Sequence, residues 1–241
     1  MSLDRFEQRR RSDRRRRLLR WSIGLLVVVL VVGGTWLVAF SSTLAVRSVE
    51  VHGVRTLTTK QVEARAEVPV GRPLARLDTV AIEERVSRIA RVQSVQVDRS
   101  WPHTVSITVT ERRPVAWIRQ DGRIRVVDRY GVDYRTVRRA PRGLVEVTVG
   151  SFDARKRQQA LEESAAVVDQ LRREQPRLAR VLRSVSADTK DSVTLGLTKR
   201  RTVVWGSADK FDDKAAVLRA LLEIRASRYD VSAPEQPTTK K

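Results

Sequence analysis

The chain is 241 residues long and carries a formal net charge of +20, which allows one large domain or two small ones with a buried core. It has no cysteine, so a disulfide framework, a thiolate metal site and a cysteine nucleophile are excluded. His52 and His103 are its two imidazoles.

Residues 1–20 hold nine arginines against Asp4, Glu7 and Asp13, a net of +6. Residues 21–40, WSIGLLVVVLVVGGTWLVAF, carry no charge. Twenty helical residues rise about 30 Å, the thickness of bilayer hydrocarbon, and satisfy their own backbone groups there. Trp21 and Trp36 lie towards the two ends, where aromatic rings favour the interface. The expectation is a single transmembrane helix over 21–40 behind a cytoplasmic arginine-rich tail over 1–20. A cleaved signal peptide is the alternative, because Ala39-Phe40-Ser41 has a small-x-small look. The apolar run is longer than a signal core of about 7–15 residues. Arginine on one flank and an uncharged stretch from Ser41 to Val46 on the other predict an N-terminus inside the cell and a C-terminal part outside it. A basic run also fits nucleic acid, but beside a span it reads as a topology signal and a contact for anionic lipid. No nucleic-acid partner is expected. The remaining +14 of the +20 would lie outside, where it suits anionic cell-wall polymer.

From residue 46 the pattern changes. Val49 and Val51 alternate with Ser48 and Glu50 as in a half-buried strand, which Gly53 breaks. Thr58-Thr59-Lys60-Gln61 fits a capping box before a helix through Val62 and Ala66, ended by Pro69 and Gly71. Asp78 can cap a second helix, in which Ile82, Val86 and Ile89 recur at helical spacing. Val95-Gln96-Val97-Asp98 reads as a strand and Trp101-Pro102-His103 as a turn. Val105, Ile107 and Val109 then alternate with Thr104, Ser106, Thr108 and Thr110, which predicts a strand with its valines and isoleucine facing the core. Trp101 reads as a packing residue and His103 as a solvated turn residue.

The order β-α-α-β-β, the opening Val49-Glu50-Val51-His52-Gly53, and the run from Trp101-Pro102-His103-Thr104-Val105 to Glu111-Arg112-Arg113-Pro114-Val115-Ala116 resemble a POTRA domain. More narrowly they resemble that of the bacterial cell-division FtsQ (DivIB) family. This POTRA-like domain is assigned to 46–115.

Residues 116–233 read as a second, mainly β domain with two helices, and 234–241 as a C-terminal tail. Ile124–Val127 and Tyr134–Val137 flank Asp128-Arg129-Tyr130-Gly131, a hairpin turn. Leu144 to Val149 alternates as a strand ending at Gly150. Asp153 can cap a helix with Leu161, Ala165, Val168 and Leu171 on one stripe, interrupted or ended by Pro176. Val193–Leu197 and Thr202–Gly206 look like paired strands about Lys199-Arg200-Arg201. A helix through Phe211, Leu218, Leu221 and Leu222 precedes Tyr229-Asp230-Val231-Ser232-Ala233. This order too resembles the FtsQ family. The expected class is therefore α+β, with an N-terminal transmembrane helix, a POTRA-like domain and a mainly β domain.

No glycine-rich phosphate loop, G-x-S-x-G elbow or metal-ligand spacing is present. The adjacent pairs Glu162-Glu163 and Asp212-Asp213 would point apart on helices and read as solvated. No catalysis and no cofactor are expected, and an anchored enzyme ranks below a binding module. What the resemblance implies is a scaffold of the divisome at the septum, in the cell membrane. There a strand after the last helix receives an FtsB/FtsL-like pair and helps switch on septal peptidoglycan synthesis. That strand maps onto Tyr229, Asp230, Val231, Ser232 and Ala233, with Arg201, Thr202, Val203, Val204 and Trp205 as its neighbour. Pro234 and Pro237 lie just beyond it, which places the strand's length and register in question. The alternative is a membrane-anchored module that binds anionic cell-wall polymer.

Overall fold

The computed structural model of the chain describes residues 20–34, 36, 44–150 and 153–241. Two compact units meet at the Glu111/Arg112 boundary. Helix α1 covers residues 20–34, with its side chains exposed all round. Among the described residues no helix is long and apolar enough to cross a membrane. The transmembrane helix expected over 21–40 is corrected accordingly: the described residues form a two-part α+β fold with no such element among them. Residues 1–19 of the expected tail, and residues 35 and 37–40 of the expected span, lie outside the described residues.

In the first unit the order is β1 (Ser48–His52), α2 (Thr59–Ala66), a 3-10 turn at Leu74–Arg76, α3 (Thr79–Ser87), β2 (Val92–Ser100) and β3 (Thr104–Glu111). The capping box forms: Gln61 N donates to Thr58 Oγ1 at 3.3 Å and Thr58 N donates to Gln61 Oε1 at 3.0 Å. Asp78 caps α3 through Ala81 N. The sheet runs β1-β3-β2, with β1 parallel and β2 antiparallel to β3. Val105, Ile107 and Val109 face inwards against Val62, Ala66, Leu74, Ile82 and Val86. Gly53 sits at φ +81°, and a Cβ there would lie 2.1 Å from Val109 O, so only glycine lets the chain leave β1. Trp101 stands largely exposed on the β2–β3 turn rather than in the core.

The second unit contains β4 (Pro114–Gln120), β5 (Arg123–Asp128), β6 (Asp133–Val137), β7 (Val145–Val149), α4 (Ala154–Glu174), α5 (Pro176–Val181), β8 (Leu182–Ala187), β9 (Val193–Leu197), β10 (Arg201–Gly206), α6 (Phe211–Leu221), β11 (Arg228–Asp230) and β12 (Thr238–Lys240). Pro114 opens β4, where a missing N–H costs least. Pro176 opens α5 after a break at Gln175. The strands form a nine-stranded sheet in the order β12-β11-β10-β9-β8-β7-β4-β5-β6. Leu161, Ala165, Val168 and Leu171 of α4 are buried with Val147, Val185 and Leu195 of the sheet. The connections β7–α4–α5–β8 and β10–α6–β11 join parallel neighbours, as helical crossovers do.

At the β5–β6 hairpin, Asp128 is almost fully buried. Its Oδ2 accepts from Arg112 NH1 at 2.6 Å and its Oδ1 from the turn amides of Tyr130 and Val132. A carboxylate so enclosed has its charge and lone pairs met from several directions, which is the condition for burying one.

Candidate partner-binding edge

The residues expected to meet a partner lie where the large sheet ends. β10 pairs antiparallel with β9 on one side and parallel with β11 on the other, in the register Thr202↔Arg228, Val203↔Tyr229, Val204↔Asp230. Between β9 and β10 the chain turns through Lys199 and Arg200 at φ 61° and 54°, left-handed conformations that non-glycine residues seldom hold. The ladder continues one residue past β11, with Val231 N donating to Val204 O at 3.0 Å.

The side chains divide by parity. Val203, Trp205, Tyr229 and Val231 are buried in the core of the second unit. Trp205 packs at a tilt on Phe211, ring centroids 5.3 Å apart, which ties β10 to the start of α6. Tyr229 is 0% exposed; its hydroxyl donates to Ile224 O at 2.8 Å and accepts from Ala226 N at 3.3 Å. It therefore fastens the turn after α6 to the sheet instead of presenting a ring to the surface. Arg201, Thr202, Val204 and Asp230 are half-buried, while Ser232 and Ala233 are exposed. The strand stops at Asp230, because its Oδ1 accepts from both Ser232 N (3.0 Å) and Ser232 Oγ (2.7 Å) and turns the chain.

The sequence did not disclose what comes next. After Pro234 and Pro237 the chain returns as β12 and pairs antiparallel with β11, in the register Arg228↔Lys240, Tyr229↔Thr239, Asp230↔Thr238. Ser227 N also donates to Lys240 O at 2.9 Å. An ion pair between Lys210 and Glu235 ties the return loop to the start of α6; their hydrogen bond raises the lysine pKa and lowers that of the glutamate. The edge of the sheet is thus β12, and β11 is an inner strand. The signal was the β-branched pair Thr238-Thr239, too short to register between prolines and lysines.

Nearby, Lys214 is buried, and its Nζ donates to Ser207 O at 2.8 Å. Burial pushes this amine down, and Asp209 and Glu163 oppose the shift. Glu163 accepts from Ala208 N, so it braces the β10–α6 loop, while Glu162, Asp212 and Asp213 are exposed. His52 stands exposed, 3.6 Å from Glu50. Among the described residues no group of three or more histidine, aspartate or glutamate side chains could hold a metal ion.

Two family models match the chain. The FtsQ-type POTRA domain matches residues 44–112, and the C-terminal domain of cell division protein FtsQ/DivIB matches 116–232. The cell division protein FtsQ of Streptomyces venezuelae is 42% identical over 228 residues, 90% of this chain and 82% of that one. That of Streptomyces bingchenggensis is 41% identical over 239 residues, 95% and 88% of the two chains. The FtsQ of Mycolicibacterium smegmatis is 34% identical over 231 residues, 96% of this chain and 67% of its own.

Proposed function

The chain belongs to the FtsQ/DivIB family of cell division proteins, and from that premise we propose that it is a non-catalytic scaffold of the divisome at the septum. It binds an FtsB/FtsL-like pair by accepting a strand at the β11 end of the large sheet, and so links that pair to septal peptidoglycan synthesis. The arginines of residues 1–20 meet anionic lipid, where each basic residue adds attraction near the surface.

One observation supports the strand-addition reading above others. At β11 the buried side chain points into the core, so what the strand can offer a partner is the row of peptide groups that the short β12 pairs with, beside Arg228 and Asp230. Peptide groups at a sheet edge are a template for another chain once nothing else pairs with them.

Hydrogen exchange of the full chain with and without the purified pair tests this. Amides of 228–230 should slow about tenfold or more on binding, since ladder hydrogen bonds exchange only on opening. A chain ending at Ser227 should bind the pair at least about tenfold more weakly, or 1.4 kcal/mol. Protection confined to the first unit, with full-strength binding by the shortened chain, would place the contact there instead.

The net charge of +20 favours a second reading, a module held to anionic cell-wall polymer. Its response to salt, argued below, separates it from the first.

A further inference from the structure

The surface a partner strand would occupy on β11 is already taken by this chain's own β12. We propose that β12 is a displaceable occupant: residues 238–240 must peel away before the partner strand seats on β11. This rests on the partner reading above and adds that the acceptor edge is contested from within.

Three features carry the inference. All three side chains of β12 are exposed, and none is apolar, so its departure takes no apolar side chain out of the core. By contrast, β11 is held by the buried Tyr229 and Val231 and stays when β12 leaves. The remaining ties are short-range and exposed: the Ser227 contacts to Lys240 O, Gln236 N to Ala233 O, and the Lys210–Glu235 pair. Exposed ion pairs are weak and screened by salt, and exposed ladder bonds without packing open at the low end of a protein's stability range. Pro237 stands immediately before β12 and cannot extend the ladder through its own nitrogen, which keeps the occupant short.

A longer incoming strand would take the same backbone groups and continue beyond them. Its observed dissociation constant is then the intrinsic one divided by the fraction of molecules with β12 open. If about one molecule in ten is open, the occupant weakens partner binding about tenfold. The rival geometry adds the partner to the outer side of β12, and there β12 is a required platform.

The test compares three full-length-based forms with the purified FtsB/FtsL-like pair by interferometry. A chain ending at Pro237 should bind about tenfold more tightly than the full chain. The double variant Arg228→Cys, Lys240→Cys places two thiols on directly opposed residues in a chain that has no other cysteine. Opposed antiparallel residues lie within disulfide reach. Oxidised, it should bind at least about tenfold more weakly than the same protein reduced. Equal or weaker binding by the shortened chain, or equal binding by the oxidised and reduced forms, overturns the inference while leaving the partner reading intact. If no form binds the pair, the partner reading falls and the contested edge falls with it.

Discussion

Tyr229 shows how one side chain changes the meaning of a motif. An aromatic residue two positions before a valine, near a strand end, fits an interface anchor and a core residue equally well, since both faces of a strand have period two. Packing decides it: ring and hydroxyl are enclosed, with bonds to Ile224 O and from Ala226 N. Tyr229→Ala should therefore destabilise the second unit by about 3–5 kcal/mol, the range for a truncated core aromatic. Tyr229→Phe keeps the ring and should cost only about 1 kcal/mol, for the lost hydroxyl bonds. Denaturant unfolding followed by tryptophan fluorescence reads both, because Trp205 lies in the same core. An alanine variant with unchanged unfolding and impaired partner binding would mean that the ring serves the surface after all.

At the scale of elements, Glu111 ends β3 and holds the loop between β1 and α2. Its carboxylate accepts from the amides of Arg55 (2.6 Å), Thr56 (2.9 Å) and Leu57 (3.0 Å), and from the Thr56 hydroxyl. Burial pushes its pKa up, but these donors outweigh burial and bring it from 4.5 down to about 2. A folded-state pKa below the unfolded one adds stability that is complete above about pH 4.5 and is lost as pH falls towards 2. The first unit should thus weaken across that window. Glu111→Ala should remove that contribution to the slope and cost about 1–3 kcal/mol near neutral pH, as lost bonds to a charged acceptor do. Identical pH profiles for the two proteins would show that the clamp carries no weight. The same clamp marks what a sequence discloses and what it withholds. The capping box at Thr58, the Asp78 cap, the inward face of Val105, Ile107 and Val109 and the α4 stripe were legible, because each is set by neighbours within a few residues. The Glu111 clamp, the Arg112–Asp128 pair and the β11–β12 ladder join residues 8 to 56 positions apart, and no local period records them. Residues 21–40 misled in the other direction: composition suggested a span, and among the described residues no helix is long and apolar enough to make one.

For the whole molecule, charge and strand pairing make opposite demands on a binding experiment. The chain carries +20 overall, so its field reaches an acidic partner before any contact forms, and that attraction is cut off beyond about 10 Å at 0.1 M salt. Charge of this kind steers encounter and acts mainly on the association rate. Strand addition instead holds the complex by backbone hydrogen bonds at contact distance, where screening has little effect. Raising salt from 50 to 500 mM should therefore slow association with the FtsB/FtsL-like pair several-fold and leave its dissociation rate within about twofold. An anionic polysaccharide immobilised in the same instrument should behave differently. Its affinity depends on the number of neutralised charges and should fall by two or more orders of magnitude over that range, on the order of what counter-ion release gives for several contacts. A dissociation rate from the pair that climbs with salt as steeply as the polymer's would show that charge holds the complex, and the backbone edge would then lose its claim to the partner.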